Sequence, residues 1–178
     1  MIWNLPNSLT FLRIILIPVL IVMLYMKSPY NTYVAAAIFI IAALTDSLDG
    51  YLARRFNQIT KFGVIMDPVA DKLLVTAALI CFVETHVIPA WIAIIFLGRE
   101  FAVSGLRTIK AQEGSIIAAS VLGKSKTFSQ IVAITFLIME PVYYKFFPYP
   151  LGTWMLYIAL LISLFSAVDY FKKFLYDK

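Results

Sequence analysis

Four aspartates, Asp46, Asp49, Asp67 and Asp71, stand within the stretch from Thr45 to Lys72 of a chain that is otherwise strongly apolar. Asp46 and Asp49 are three residues apart and Asp67 and Asp71 four apart, so on helices each pair shares one face. A short loop between the two helices lets those faces converge into one acidic cluster. Carboxylates packed together repel and would take up protons unless a cation holds them. An all-oxygen donor set without His or Cys suits a hard ion such as magnesium, manganese or calcium. Charges near bilayer depth are costly, which argues against accidental placement. Interfacial capping, with the aspartates paired to Arg54, Arg55 and Lys72, is the plainer alternative; it explains one aspartate better than four.

The residues between the aspartates add a second constraint. Gly50, Ala53 and Gly63 carry little or no side chain, so a flat ligand or another backbone can come close. Small residues also promote helix packing in membranes. Arg54 supplies a planar cationic fork that matches phosphate oxygens. Small residues, an arginine and a hard-ion cluster within a turn of each other describe a site for a phosphorylated ligand.

These residues need elements to hold them, and composition says which. Of 178 residues, 62% are hydrophobic and 14% charged, with a mean hydropathy of +0.88. Soluble domains carry about half apolar residues and about a quarter charged ones, so an integral membrane protein is expected. A spanning helix needs about 20 mostly apolar residues. Six candidates follow, at roughly 8–26, 32–54, 67–84, 88–109, 125–141 and 151–172. Pro29, Pro89, Pro141, Pro148 and Pro150 fall in or near the expected breaks. Without a linker, charge block or repeat, the fold class is all-α: one polytopic membrane domain over 1–178, six transmembrane helices and a polar cavity facing the cytoplasm.

Charge sets the orientation. With the N-terminus inside, the cytoplasmic side receives Arg54, Arg55, Lys61, Arg107, Lys110, Lys124, Lys126, Lys172, Lys173 and Lys178, and the outer side keeps Lys27 and Lys145. Both termini and the 46–71 stretch then face the cytoplasm. The net charge of +5 fits contact with anionic lipid and implies no nucleic acid. The outer loop EPVYYKFFPYPLGTW reads as an interfacial aromatic belt. His86 and Glu84 read as solvated loop residues. The lone Cys81 excludes an intramolecular disulfide and reads as a buried small hydrophobe. The N-terminus lacks the basic start and cleavage site of a signal peptide, so the first apolar segment is expected to remain.

The run reads D-x2-D-G-x2-A-R-x8-G-x3-D-x3-D, with Asp46, Asp49, Gly50, Ala53, Arg54, Gly63, Asp67 and Asp71 in its slots. It resembles the signature of the CDP-alcohol phosphatidyltransferase family, and no slot departs from it. The opening NLPNSLTFLRIILIP and the later GRE, SGLR and GKSKT are similar to the branch that uses glycerol 3-phosphate. The resemblance implies transfer of the phosphatidyl group from CDP-diacylglycerol to glycerol 3-phosphate, giving phosphatidylglycerophosphate and CMP. It implies two divalent ions, magnesium or manganese, on Asp46, Asp49, Asp67 and Asp71, with Asp71 also the general base. Gly50, Ala53 and Gly63 would make room for the cytidine and Arg54 would hold the diphosphate. It further implies a homodimer in the bacterial cytoplasmic membrane.

By the same resemblance Asn7, Thr10 and Arg13 would line the nucleotide pocket; helix capping by Asn7 or Ser8 and snorkelling by Arg13 also fit. Arg99 and Glu100 interrupt an otherwise lipid-soluble helix, either as part of a site or as a packing pair. Arg99, Arg107, Lys124 and Lys126 would surround the acceptor's phosphate, a dianion that needs several donors; ordinary positive-inside residues would look similar. Inside the enzyme class the rivals keep the chemistry and change the acceptor to inositol phosphate, serine or phosphatidylglycerol. A divalent-cation transporter is the rival from another class. It would place its ligands near the bilayer midplane rather than at one end of the helices.

Overall fold

The structure is a computed structural model and describes residues 4–26, 28–55, 60–113 and 121–176; side chains of 5–6, 46–54, 61–62, 64, 121–122 and 124 lie outside that description. The described residues are all-helical, without strands. They form α1 (Leu5–Tyr25), α2 (Pro29–Arg55), α3 (Lys61–Glu84), α4 (Ala90–Gln112), α5 (Val121–Tyr143) and α6 (Leu151–Tyr176). Each expected segment has its helix.

The largest difference is at α3, which begins at Lys61 rather than near 67. Thr60 is the reason: its backbone is extended, and its side chain accepts a 3.0 Å bond from the Gly63 N–H, which caps the first turn. Pro68 is therefore carried inside the helix. Pro141, expected in or near a break, lies two residues before the end of α5. Pro29 opens α2, and Pro89 stands as N-cap of α4. At the start of α1, Asn4 accepts from the Asn7 N–H at 3.0 Å, and Pro6 fills the first turn where no N–H is needed. The α3–α4 turn runs through His86, exposed and at a positive φ of 58°, a conformation His adopts more readily than most residues.

Packing closes the helices into a ring in the order α1, α3, α4, α6, α5, α2, and α2 also touches α3 across it. The core has small residues on several faces, including Ala35, Ala42, Ala78, Ala93, Ala133 and Ala159, with Phe39, Leu74, Ile134 and Leu156 between them. Small side chains let backbones approach where burial of apolar area gives little drive. A close approach joins α5 to α6. A Cβ on Gly152 would stand 2.7 Å from the Leu137 nitrogen, so only glycine fits there. The Gly152 N–H donates to the Tyr143 hydroxyl at 2.8 Å and locks the same hairpin.

The outer surface is apolar: Ile15, Ile41, Ile80, Ile94, Phe101, Ile158 and Phe165 are each more than half exposed. By hydropathy alone, two described helices are long and apolar enough to span a membrane, Asn7–Tyr25 and Leu151–Tyr176. The others carry the charges under study. Asp67, Asp71 and Lys72 lie in α3, Arg99 and Glu100 in α4, and Lys126 in α5.

Candidate active site

α1 and α3 build one half of the site through side chains spaced three apart on α1: Asn4, Asn7, Thr10 and Arg13. Asn7, Thr10 and Arg13 are buried. Thr60 donates to Asn7 Oδ1 at 3.0 Å, so the residue that caps α3 is itself anchored to α1. A Cβ on Gly63 would lie 2.9 Å from Asn7 Oδ1 and 3.4 Å from Asp67 Oδ2, so its smallness lets α1 reach the aspartate turn. One turn further, Thr10 Oγ1 donates to Asp67 Oδ1 at 2.6 Å, the short length of a charge-assisted bond. Arg13 donates from Nε to the Ala42 carbonyl at 3.1 Å, tying α1 to α2 one turn before Asp46.

The helix α2 passes through 46–54, but the side chains of Asp46, Asp49, Gly50, Ala53 and Arg54 lie outside the described residues. Asp67 and Asp71 are described, a turn apart on α3 and both partly exposed. No group of three or more metal-ligating side chains occurs among the described residues, since half of the acidic cluster falls outside them. What is described fits a hard ion: Thr10 fixes Asp67 through Oδ1, and Oδ2 accepts no hydrogen bond among the described residues.

The second half of the site comes from α4, α5 and α6. A cavity of about 170 Å3 is lined by Asp71 and Lys72 of α3, Arg99, Glu100 and Arg107 of α4, Lys126 of α5 and Tyr170 of α6. The spacing of Arg99, Val103 and Arg107 by fours puts them on the α4 face turned to α6. The Arg99 guanidinium spreads over three partners. Nε donates to the Ser163 carbonyl at 3.0 Å, Nη2 to Ser166 Oγ at 3.0 Å and Nη1 to Glu100 Oε2 at 3.1 Å. Lys126, buried, pairs with that same Glu100 oxygen. Arg107 bonds the Tyr170 hydroxyl, and its guanidinium lies 4.8 Å from the ring centroid.

The structure thus gathers Asp71, Arg99, Arg107 and Lys126 around one volume; Lys124 is on α5, its side chain outside the description. Sequence reasoning missed Tyr170, Ser166 and Ser163. Their signal was available: polar residues at 163, 166 and 170 repeat with helical spacing in an apolar segment.

A helical bundle with a cavity lined by the carboxylates of Asp71 and Glu100 and by Lys72, Arg99, Arg107 and Lys126 is suited to bringing a phosphorylated group to a carboxylate. The model of the CDP-alcohol phosphatidyltransferase family matches residues 3–165, and the chain belongs to that family. Among curated relatives, the CDP-diacylglycerol–glycerol-3-phosphate 3-phosphatidyltransferase of Bacillus subtilis (strain 168) is 41% identical over 185 residues, 96% of this chain and 95% of the relative. The proteins of the same name from Rickettsia bellii (strain RML369-C) and Salmonella choleraesuis (strain SC-B67) are 38% and 40% identical. They cover 95% and 94% of this chain, and 94% and 93% of their own lengths.

Proposed function

We propose that this protein transfers the phosphatidyl group of CDP-diacylglycerol to glycerol 3-phosphate, producing phosphatidylglycerophosphate and CMP. The names of the relatives support the reaction. The observation that carries it here is the shared cavity, with Asp71 on one wall and Arg99, Arg107 and Lys126 on another. The three cations would bind the acceptor's phosphate and hold its hydroxyl toward Asp71. Asp71 takes the proton as the hydroxyl oxygen bonds to the lipid-bearing phosphorus. The bond from that phosphorus to the CMP oxygen breaks in the same displacement. Two divalent ions, magnesium or manganese, when held by Asp46, Asp49, Asp67 and Asp71, would neutralise the diphosphate and the departing CMP. Arg54, Gly50, Ala53 and Gly63 belong to the nucleotide side of the same reading, as do Asn7, Thr10 and Arg13 in bracing or lining it.

The chain is read as a single membrane domain of six spans, with both termini and the cavity on the cytoplasmic side of a bacterial membrane and a second copy as partner. The apolar exterior and the Lys/Arg asymmetry support the spans and orientation. Single cysteines placed at 110 and 145, labelled from either side of sealed vesicles, test the topology, and light scattering in detergent tests the dimer.

The deciding experiment incubates purified protein with CDP-diacylglycerol, magnesium and a panel of alcohols. CMP release with glycerol 3-phosphate alone is the expected result. Release with another alcohol would replace the acceptor, and metal flux without CMP would replace the enzyme with a transporter.

A further inference from the structure

A carboxylate on the wall of an anion-binding cavity repels the anion, so Glu100 calls for an explanation. Its neighbours Arg99 and Lys126 both bond Oε2. The other oxygen, Oε1, accepts no hydrogen bond among the described residues, and Glu100 lines the cavity. Among the described residues, Asp71 is the only other carboxylate on the lining. A pairing role toward Arg99 and Lys126 occupies one oxygen and leaves an ionised acceptor in reserve. Of the other lining groups, Arg107 and Lys72 donate and cannot accept, while Thr76, Ser104, Thr127, Gln130 and Tyr170 offer only neutral acceptors.

We infer that Glu100 is a specificity-determining residue, whose Oε1 accepts a hydrogen bond from the hydroxyl of the acceptor that does not react. The inference rests on the proposed acceptor, a phosphorylated diol. Such a molecule brings one dianionic head and two hydroxyls. The cations meet the head, Asp71 meets the terminal hydroxyl that attacks, and the remaining hydroxyl needs an acceptor of its own. A site built to bond a hydroxyl discriminates against the analogue that lacks it, because its buried polar group is then left unpaired.

The test compares glycerol 3-phosphate with 3-hydroxypropyl phosphate, which keeps the phosphate and the terminal hydroxyl and lacks the middle one. Wild-type protein should prefer the diol in kcat/KM by roughly 10- to 100-fold, the factor of one charge-assisted hydrogen bond. In Glu100→Gln the amide oxygen stays with Arg99 and Lys126 and the amide N–H2 replaces Oε1, so an acceptor becomes a donor. The preference should fall to within about threefold, with the loss concentrated on glycerol 3-phosphate. Equal losses on both acceptors, leaving the preference intact, would make Glu100 a pairing residue only and overturn the inference. Should the variant not fold, equal use of the two acceptors by wild-type protein still overturns the inference. CMP release by wild-type protein with neither acceptor would overturn the transferase reading and this inference with it.

Discussion

Replacing Thr10 by valine separates two roles that its position on α1 allows. Thr10 is fully buried, and valine keeps its shape while exchanging the hydroxyl for a methyl group. The lost bond is the 2.6 Å contact from Oγ1 to Asp67 Oδ1. A hydrogen bond to a charged partner contributes about 1.5–3 kcal/mol. That corresponds to roughly 10- to 150-fold in an equilibrium or rate constant. If the hydroxyl orients Asp67 for a metal, the loss falls on the magnesium dependence. The concentration for half-maximal CMP release should rise by about tenfold or more, with excess magnesium restoring much of the rate. Thr10→Ser, which keeps the oxygen, should return to within a few-fold of wild type. The assay is CMP release titrated with magnesium at saturating lipid and acceptor, with thermal unfolding in detergent as a check on folding. An unchanged magnesium curve together with a raised KM for CDP-diacylglycerol would refute the reasoning and give the hydroxyl to the nucleotide.

Asp71→Asn should abolish turnover while the melting profile stays close to wild type; substantial residual CMP release would remove Asp71 from the role of base. Arg107→Ala and Lys126→Ala should each raise the KM for glycerol 3-phosphate by about tenfold or more and leave that for CDP-diacylglycerol nearly unchanged. Unchanged acceptor KM values would show that the cationic wall does not bind the phosphate. Gly152→Ala should destabilise the α5–α6 hairpin by about 1–3 kcal/mol, because its new methyl group meets the Leu137 backbone, which cannot swing aside. A lowered unfolding temperature in detergent with kcat retained in the folded fraction is the expected reading.

Much of this was legible in residue order, and the misses have physical causes. The six helices followed from apolar runs of spanning length, but the start of α3 did not. Lys61 to Met66 form a mixed turn held by Thr60 and Asn7, and neither hydropathy nor proline reports a cap anchored to another helix. Pro141 stands near the helix end expected of it, where a proline removes a single bond of the last turn. Asp67 and Asp71 were found from spacing, since i and i+4 fix a common face wherever the helix lies. Arg99 was found as a charge in a lipid-soluble segment, where it stands out, and Arg107 and Lys126 as cations near helix ends on the same side. Tyr170 and Ser166 carry their helical spacing as their one signal, because a single tyrosine or serine in an apolar helix is ordinary. Only the approach of α4 to α6 gives them partners. The modest hydropathy of the middle helices has the same origin as the site: the residues that do chemistry are those that dilute the apolar runs.

Arg99 serves two masters. The guanidinium that lines the cavity is also the cross-tie between α4 and α6, donating to a carbonyl and a hydroxyl on α6. A lysine in its place would keep the charge and drop the grip, since an ammonium lacks the planar fork that reaches both at once. In the proposed function the contact between the two helices and the hold on the acceptor's phosphate then rest on one side chain, so neither can change without the other.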